Sequence, residues 1–305
     1  MEETEASNTS AVIVSWNTRD LLARCLDALY ADADRSGITL QTIVVDNASS
    51  DGTVEMLAKR FPSVQVVARS ENSGFAAATN RGIRQAASVD LLLLNPDTEL
   101  LPGALAAMRS ALHAMPHVGL VSGILLNPDH SLQSAGYRFP TLTQSFLDFF
   151  PLHDRLVASG LNGRFTPGDG LSPYAVDYPL GACMLVRREV IEQVGLLDEQ
   201  YFMYSEEIDW CRRIAAAGWS ILIAPAARII HHGGQSTGQA PDAMFVQLHR
   251  SRARYFAHYH SGAYLRTVER MATVAGWWTS RRDAAQGRRL REVSALYRAA
   301  RGDHA

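Results

Sequence analysis

The feature that most constrains this chain is a rhythm in its first hundred residues, where short apolar runs alternate with segments of helical spacing. "AVIVSW" (Ala11–Trp16) precedes "NTRDLLARCLDALYADA", in which Leu21, Leu22, Cys25, Leu26, Leu29 and Tyr30 recur at helical intervals and Asn17 or Thr18 is placed to cap the start. "TIVVDN" (Thr42–Asn47) precedes "ASSDGTVEMLAKRF", "VQVVAR" precedes "GFAAATNRGIRQAA", and "DLLLLN" (Asp90–Asn95) closes the series. Strands separated by helices pair in parallel, and the helices then cover both faces of the sheet. Four adjacent leucines, Leu91–Leu94, suit a central strand buried on both sides.

In open sheets of this kind, ligands bind beyond the carboxyl ends of the strands. Leu91–Leu94 then belong to the core, while Asn95, Pro96 and Asp97 emerge where chemistry is possible. Asp46 ends the second strand in the same way. The first turn, "SWNTRD", has no glycine, so neither a dinucleotide fingerprint nor a Walker A loop follows the first strand. A metal is the more attractive device for holding phosphate.

The second half is less regular. Phe139 to Tyr178 loses its pattern and reads as a variable loop region. "GACMLVRREVIEQVG" reads as a strand running into a helix, and "SEEIDWCRRIAAAG" as a further helix. "WSILIAPAARIIHHGG" reads as two short strands broken at Pro225, and Asp242 to Arg301 as helical throughout. Residues 1–240 are expected to form one catalytic domain, with halves at about 10–125 and 126–240. Residues 241–305 are expected to form a basic helical extension.

At 305 residues and 47% hydrophobic, the chain can bury a sizeable core. Its three cysteines, Cys25, Cys183 and Cys211, are far apart and show no metal or disulfide spacing. "MEETEASNTS" is too acidic for a secretory signal, and no run of about 18 apolar residues offers a membrane span. The expected location is the cytoplasm, with peripheral attachment to the inner face of the plasma membrane.

"YSEEIDW" gathers Glu206, Glu207 and Asp209 within four positions. Carboxylates at a helix N-terminus are commonplace because the dipole favours them. The alternative is a general base beside a metal-bound phosphate. "IIHHGGQS" puts His231 and His232 at a strand end, either as a structural pair or as one ligand. An imidazole with one carboxylate and two phosphate oxygens would suit Mn²⁺ or Mg²⁺.

The succession "VSWN", "VVDNASSDGT", "NSGFAAATNRG", "LLNPDTE", "GACMLVRREVIEQVGLLDEQYFMYSEEIDWCRRIAAAGW" and "IIHHGGQST" resembles the family 2 glycosyltransferases of the GT-A fold. It is most similar to the bacterial rhamnosyltransferase-type branch, and the resemblance spans Ala11 to Gly262. It implies an α/β, Rossmann-like, mostly parallel sheet and an inverting, metal-dependent sugar transfer to a glycan or polyprenyl-diphosphate-linked acceptor. The donor would be dTDP-rhamnose, with UDP-sugars as the alternative. By resemblance, Asp46 contacts the base with Asn17 at its edge, and Asn72, Gly74, Asn80 and Arg81 line the ribose and diphosphate side. Asp97 takes the metal-binding role of the family's D-x-D, of which "NPD" is a reduced form with Asn95 in place of the first acid. His231 supplies the second ligand, with His232 as fallback. Glu207 stands where the family usually has an aspartate base, with Asp209 as competitor. Gly181 and Ala182, with Glu206, belong to the acceptor side. A non-catalytic nucleotide-sugar binding protein on the same fold is the competing reading.

From Arg250 to Arg301 there are twelve arginines against three acids. This stretch also carries Trp277 and Trp278. Basic, Trp-bearing amphipathic segments lie in membrane interfaces. Packing on the catalytic domain or against a second subunit in a homo-oligomer is the competing expectation. Nucleic acid is disfavoured, since no binding module accompanies the charge.

Overall fold

A computed structural model describes residues 8–165, 170–234 and 240–302. The first half follows the predicted rhythm. Strands β1 (Thr9–Ser15), β2 (Leu40–Asp46), β3 (Gln65–Ala68) and β4 (Asp90–Leu94) alternate with helices α1 (Arg19–Ser36), α2 (Thr53–Arg60) and α3 (Phe75–Ile83). They lie in the order β3-β2-β1-β4, all parallel. Leu91–Leu94 are buried on both faces. Helix α3 packs tightly because Gly82 faces β1, where a Cβ would lie 2.3 Å from Val12 Cγ1. The expected cap of α1 is corrected. Thr18 occupies the cap position without a capping bond from its side chain, and Asp51 Oδ2 accepts the Arg19 N–H instead, at 2.9 Å.

The second half adds β5 (Thr98–Leu100), α4 (Ala104–Ala114), β6 (Val118–Leu126), β7 (Leu132–Gln133) and β8 (Gly136–Tyr137). After these come α5 (Leu142–Phe149), α6 (Asp154–Val157), β9 (Tyr174–Ala175), β10 (Tyr178–Pro179) and β11 (Cys183–Arg187). Helices α7 (Arg188–Val194) and α8 (Glu206–Ala216) and strand β12 (Ser220–His231) complete this half. The main sheet runs β3-β2-β1-β4-β11-β6-β12-β5. Strand β11 lies antiparallel to β4 and β6 on either side, so the sheet is mixed, with parallel pairing prevailing along this path.

Two readings of the second half change. The "WSILIAPAARIIHH" segment forms one strand, β12, whose register against β6 slips between Ala224 and Arg228. Proline lacks the N–H that a ladder needs, and the irregularity accommodates Pro225 without ending the strand. The stretch from Phe139 to Tyr178 is not simply loop. It contains α5, which opens with a reciprocal capping box between Thr141 and Gln144.

Three helices follow: α9 (Pro241–Tyr259), α10 (Gly262–Thr279) and α11 (Ala284–Gly302). They build a second apolar cluster around Tyr255, Phe256, Leu265, Val268 and Tyr297. Phe149 of α5, Ile208 of α8 and Tyr201 belong to the same cluster, which joins the extension to α8. The three cysteines are free and buried. No described helix is long and apolar enough to cross a membrane.

Candidate active site

The site lies where β4 ends. Pairing with β11 places Cys183 opposite Leu94, and the Asn95 N–H donates to Ala182 O at 2.8 Å. On the other side, His231 lies opposite Thr98, and the His232 N–H donates to Asp97 O at 2.9 Å. The backbone therefore holds residues 95–97 between Gly181–Ala182 and His231. A cavity of about 490 Å³ opens at this junction. Asn72, Asn95, Asp97, Gly181, Ala182, Glu206, Glu207 and His231 all line it.

Asp97 and His231 form an unusual pair. Among the described residues the other histidine–carboxylate pairs, His113 with Asp90 and His232 with Glu99, close to 2.8 Å. Asp97 Oδ1 and His231 Nε2 stand 3.6 Å apart, beyond hydrogen-bonding distance. A chain of side-chain bonds explains this. Asn127 Nδ2 donates to Ser131 Oγ, leaving Asn127 Oδ1 to accept from Gln133 Nε2 at 3.1 Å. Gln133 Oε1 then meets His231 Nδ1 at 2.7 Å, and this network assigns the ring proton to Nδ1. Burial lowers the His231 pKa against the opposing pull of Asp97, so the ring stays neutral. The Nε2 lone pair consequently faces a carboxylate oxygen across a gap. Two acceptors so placed suit a shared cation, and an outer hydrogen bond orienting a histidine is what a metal ligand requires. The pair thus fits a hard divalent cation, with the remaining positions left to solvent and diphosphate oxygens. Among the described residues no group of three histidine, cysteine or acidic side chains forms a complete protein cage.

Glu206 and Glu207 begin α8 and line the same cavity. They follow Tyr204 and Ser205, two consecutive residues with φ of 67° and 66°. Left-handed backbone at non-glycine residues is strained and needs support. Support comes from α9, where Ser251 Oγ donates to Met203 O at 2.7 Å, and from α3, where the Phe75 N–H donates to Phe202 O at 2.7 Å. The preceding Gly74, with φ of 83°, lets the two backbones meet, since a Cβ there would lie 2.4 Å from Phe202 O. A helix dipole favours ionised carboxylates in the first turn by about 0.3–1 kcal/mol. Here burial outweighs it. The Glu207 pKa is pushed up to about 7 by burial, against bonds from nearby backbone N–H groups. Burial, and then the charge of Glu207, drive Glu206 well above the usual range. Both carboxyls are thus held above the usual carboxylate range. One oxygen of each carboxyl, Oε2, is buried without a hydrogen-bond partner.

The remaining predicted site residues separate into two groups. Asn72 and Gly74 form a turn organised by Asn47, whose Nδ2 donates to Asn72 Oδ1 and Gly74 O at 2.8 and 3.2 Å. Asp46 accepts the Ser49 N–H through Oδ2, while its Oδ1 is buried without a partner. Asn17 sits at the edge, and its Oδ1 accepts the Ser50 N–H at 2.8 Å. Neither Asp46 nor Asn17 is among the cavity-lining residues.

Four other predicted residues have partners or positions away from the cavity lining. Asn80 is a tie between α3 and the loop before Tyr201: its amide donates to Leu197 O and Glu199 Oε1, and its Oδ1 accepts the Leu197 N–H. Arg81 is exposed and does not line the cavity. His232 is held by Glu99 at 2.8 Å, outside the cavity lining. Asp209 is bound on both oxygens, by Arg213 Nε at 2.9 Å and the Tyr259 hydroxyl at 2.8 Å.

The cavity also includes Trp16, Asn47, Phe202, Tyr204 and Met244, which the sequence reading did not select. Trp16 and Asn47 directly follow β1 and β2, so the strand-end rule could have found them. Gln133 and Met244 carry no comparable local signal.

Residues 10–195 match the family described as glycosyl transferase family 2. The N-acetylglucosaminyl-diphospho-decaprenol L-rhamnosyltransferase of Mycobacterium tuberculosis (strain ATCC 25618 / H37Rv) is 30% identical over 267 residues, covering 82% of this chain and 84% of its own length. Rhamnosyltransferase WbbL of Escherichia coli (strain K12) is 26% identical over 254 residues, covering 81% and 91%. Among solved structures, the mannosyltransferase PcManGT from Pyrobaculum calidifontis, in complex with GDP-Man and Mn²⁺, aligns over 96% of this chain and 85% of that one. Its TM-score is 0.58 at 18% identity, a likeness of fold. On the family match and these relatives, the chain belongs to glycosyl transferase family 2, with a GT-A fold and similarity to a rhamnosyltransferase-like branch.

Proposed function

We propose that this protein is an inverting, metal-dependent rhamnosyltransferase that moves L-rhamnose from dTDP-rhamnose to a polyprenyl-diphosphate-linked saccharide. The observation that carries this reading is the convergence of the Asp97–His231 pair and Glu207 on one cavity. The donor and acceptor identities rest on the names of the M. tuberculosis and E. coli relatives. The metal is supported by the facing lone pairs of Asp97 and His231 and by Mn²⁺ in the solved neighbour.

In this reading the donor's base lies toward the ends of β1 and β2, where Trp16 and Asn47 line the cavity next to Asn17 and Asp46. The Asn47–Asn72–Gly74 turn shapes the pocket toward the ribose. Asp97 and His231 would hold Mn²⁺ or Mg²⁺, whose charge stabilises the diphosphate leaving group. Gly181 leaves space beside Glu207, since a Cβ there would contact the glutamate stem at 3.5 Å. Glu207 takes the proton from an acceptor hydroxyl. The oxygen attacks the anomeric carbon as its bond to the diphosphate breaks, and a single displacement inverts configuration.

The test is transfer from dTDP-rhamnose, UDP-sugars and GDP-sugars to a polyprenyl-diphosphate N-acetylglucosamine acceptor, with and without Mn²⁺, reading product anomeric configuration by NMR. Expected is metal-dependent transfer from dTDP-rhamnose with inversion. Transfer from a UDP-sugar alone would overturn the donor assignment. Binding of nucleotide diphosphate without transfer to any acceptor would favour a non-catalytic binding protein.

A further inference from the structure

We propose that the outward face of α10 is a docking surface for an anionic lipid bilayer. Leu265, Val268, Ala272 and Ala275 of this helix are buried in the second apolar cluster. The opposite face carries Arg266, Arg270, Val274, Trp277, Trp278 and, in the turn beyond, Arg281, at the spacing of one helical stripe. Trp277 and Trp278 are 62% and 54% exposed, and Val274 is 51% exposed. Water-facing tryptophans bordered by cations are costly for a free surface and favourable at a headgroup boundary, where the rings meet the acyl edge and the cations meet phosphate.

The charge selects the partner. No acid lies on this stripe, and none of its arginines forms an ion pair among the described residues. The Arg281 guanidinium lies 3.5 Å from the centroid of Trp277, joining charge and ring in one unit. Glu269 sits at the flank and is neutralised by Arg298 and Arg301. Symmetric pairing of two copies through this stripe would gather six arginines that have no acidic partner among the described residues. An anionic bilayer meets both the charge and the apolar rings. The same helical unit contributes Met244 of α9 to the catalytic cavity. The biological placement rests on the lipid-linked acceptor proposed above; the contact with lipid does not.

The test uses full-length protein without donor or acceptor, so failure leaves the transfer reading untouched. Vesicles of phosphatidylcholine, alone or mixed with phosphatidylglycerol, are floated with the wild type, with Trp277→Ser/Trp278→Ser, and with Arg266→Glu/Arg270→Glu. Expected is salt-sensitive binding to the anionic vesicles only, weakened by about tenfold or more in each variant. Brominated lipids should quench tryptophan fluorescence in the wild type and much less in the tryptophan variant. Circular dichroism confirms that the variants fold. Absence of binding to anionic vesicles, or binding that survives both substitutions, overturns the proposal. Dimers that dissociate on the tryptophan substitution without any vesicle binding would assign the stripe to a second copy instead. Selective binding to single-stranded RNA without vesicle binding would overturn it equally.

Discussion

Replacing Glu207 with glutamine tests the reading of the site most directly. The amide keeps the shape of the side chain but cannot take a proton. Loss of a positioned general base lowers turnover by roughly 10²- to 10⁴-fold. Burial pushes the Glu207 pKa up to about 7. The base works only when ionised, so kcat/KM rises with pH through about 7 and then levels. One pH unit below the midpoint, the ionised fraction and hence the rate are about a tenth of the plateau. Stability runs the other way. A carboxyl raised in the fold binds its proton more tightly there than in the unfolded chain. The fold is therefore favoured at low pH and loses that advantage as pH rises from the usual carboxylate range through about 7. Glutamine removes this decline, so above neutrality Glu207→Gln should melt no lower than the parent while being nearly inactive. The assays are a pH series of kcat/KM with dTDP-rhamnose, and melting curves at the same pH values. A loss under tenfold, or an acid limb persisting in the variant, would refute Glu207 as the base.

Asp97→Ala and His231→Ala should each abolish the Mn²⁺-dependent part of the thermal stabilisation by dTDP, whereas His232→Ala should leave it intact. Gln133→Leu, which removes the partner of His231 Nδ1, should weaken Mn²⁺ affinity by roughly 10- to 100-fold, read by metal titration of activity. Asp209→Asn should lower the melting temperature by weakening the Arg213 pair and the Tyr259 bond while leaving the acid limb in place, which separates it from Glu207. Gly74→Ala should destabilise by roughly 1–3 kcal/mol in urea melts, because left-handed backbone and the contact with Phe202 O both oppose a Cβ.

The first four strands were legible because buried parallel strands and amphipathic helices obey different periods, and nothing in that stretch conflicts with them. Asp97 could be placed for the same reason: four leucines mark the strand, and the next polar residues must emerge at its end. The motif succession selected Glu207 and His231, but spacing could not rank neighbours. Whether Asp209 or Glu207 is free depends on Arg213 and Tyr259, the latter 50 positions away. The choice between His231 and His232 depends on which faces Gln133 and which faces Glu99. Asn80 carries the residue type of a ligand contact, yet its amide closes a link to Leu197, 117 positions along the chain. Such partners leave no local trace. Pro225 misled in the opposite direction, because a proline can sit at an irregularity within a continuous strand.

The reach of α9 into the loop before α8 bears on how this protein can be recombined with its relatives. Residue 240 looks like a natural seam in chain order, yet Ser251 grips Met203, Arg254 grips Asp198 and Tyr259 grips Asp209 across it. A hybrid joined at that seam would inherit α8 from one parent and the clamps that shape it from the other. Crossovers that exchange residues 198–216 together with the three terminal helices keep each clamp with its own counterpart.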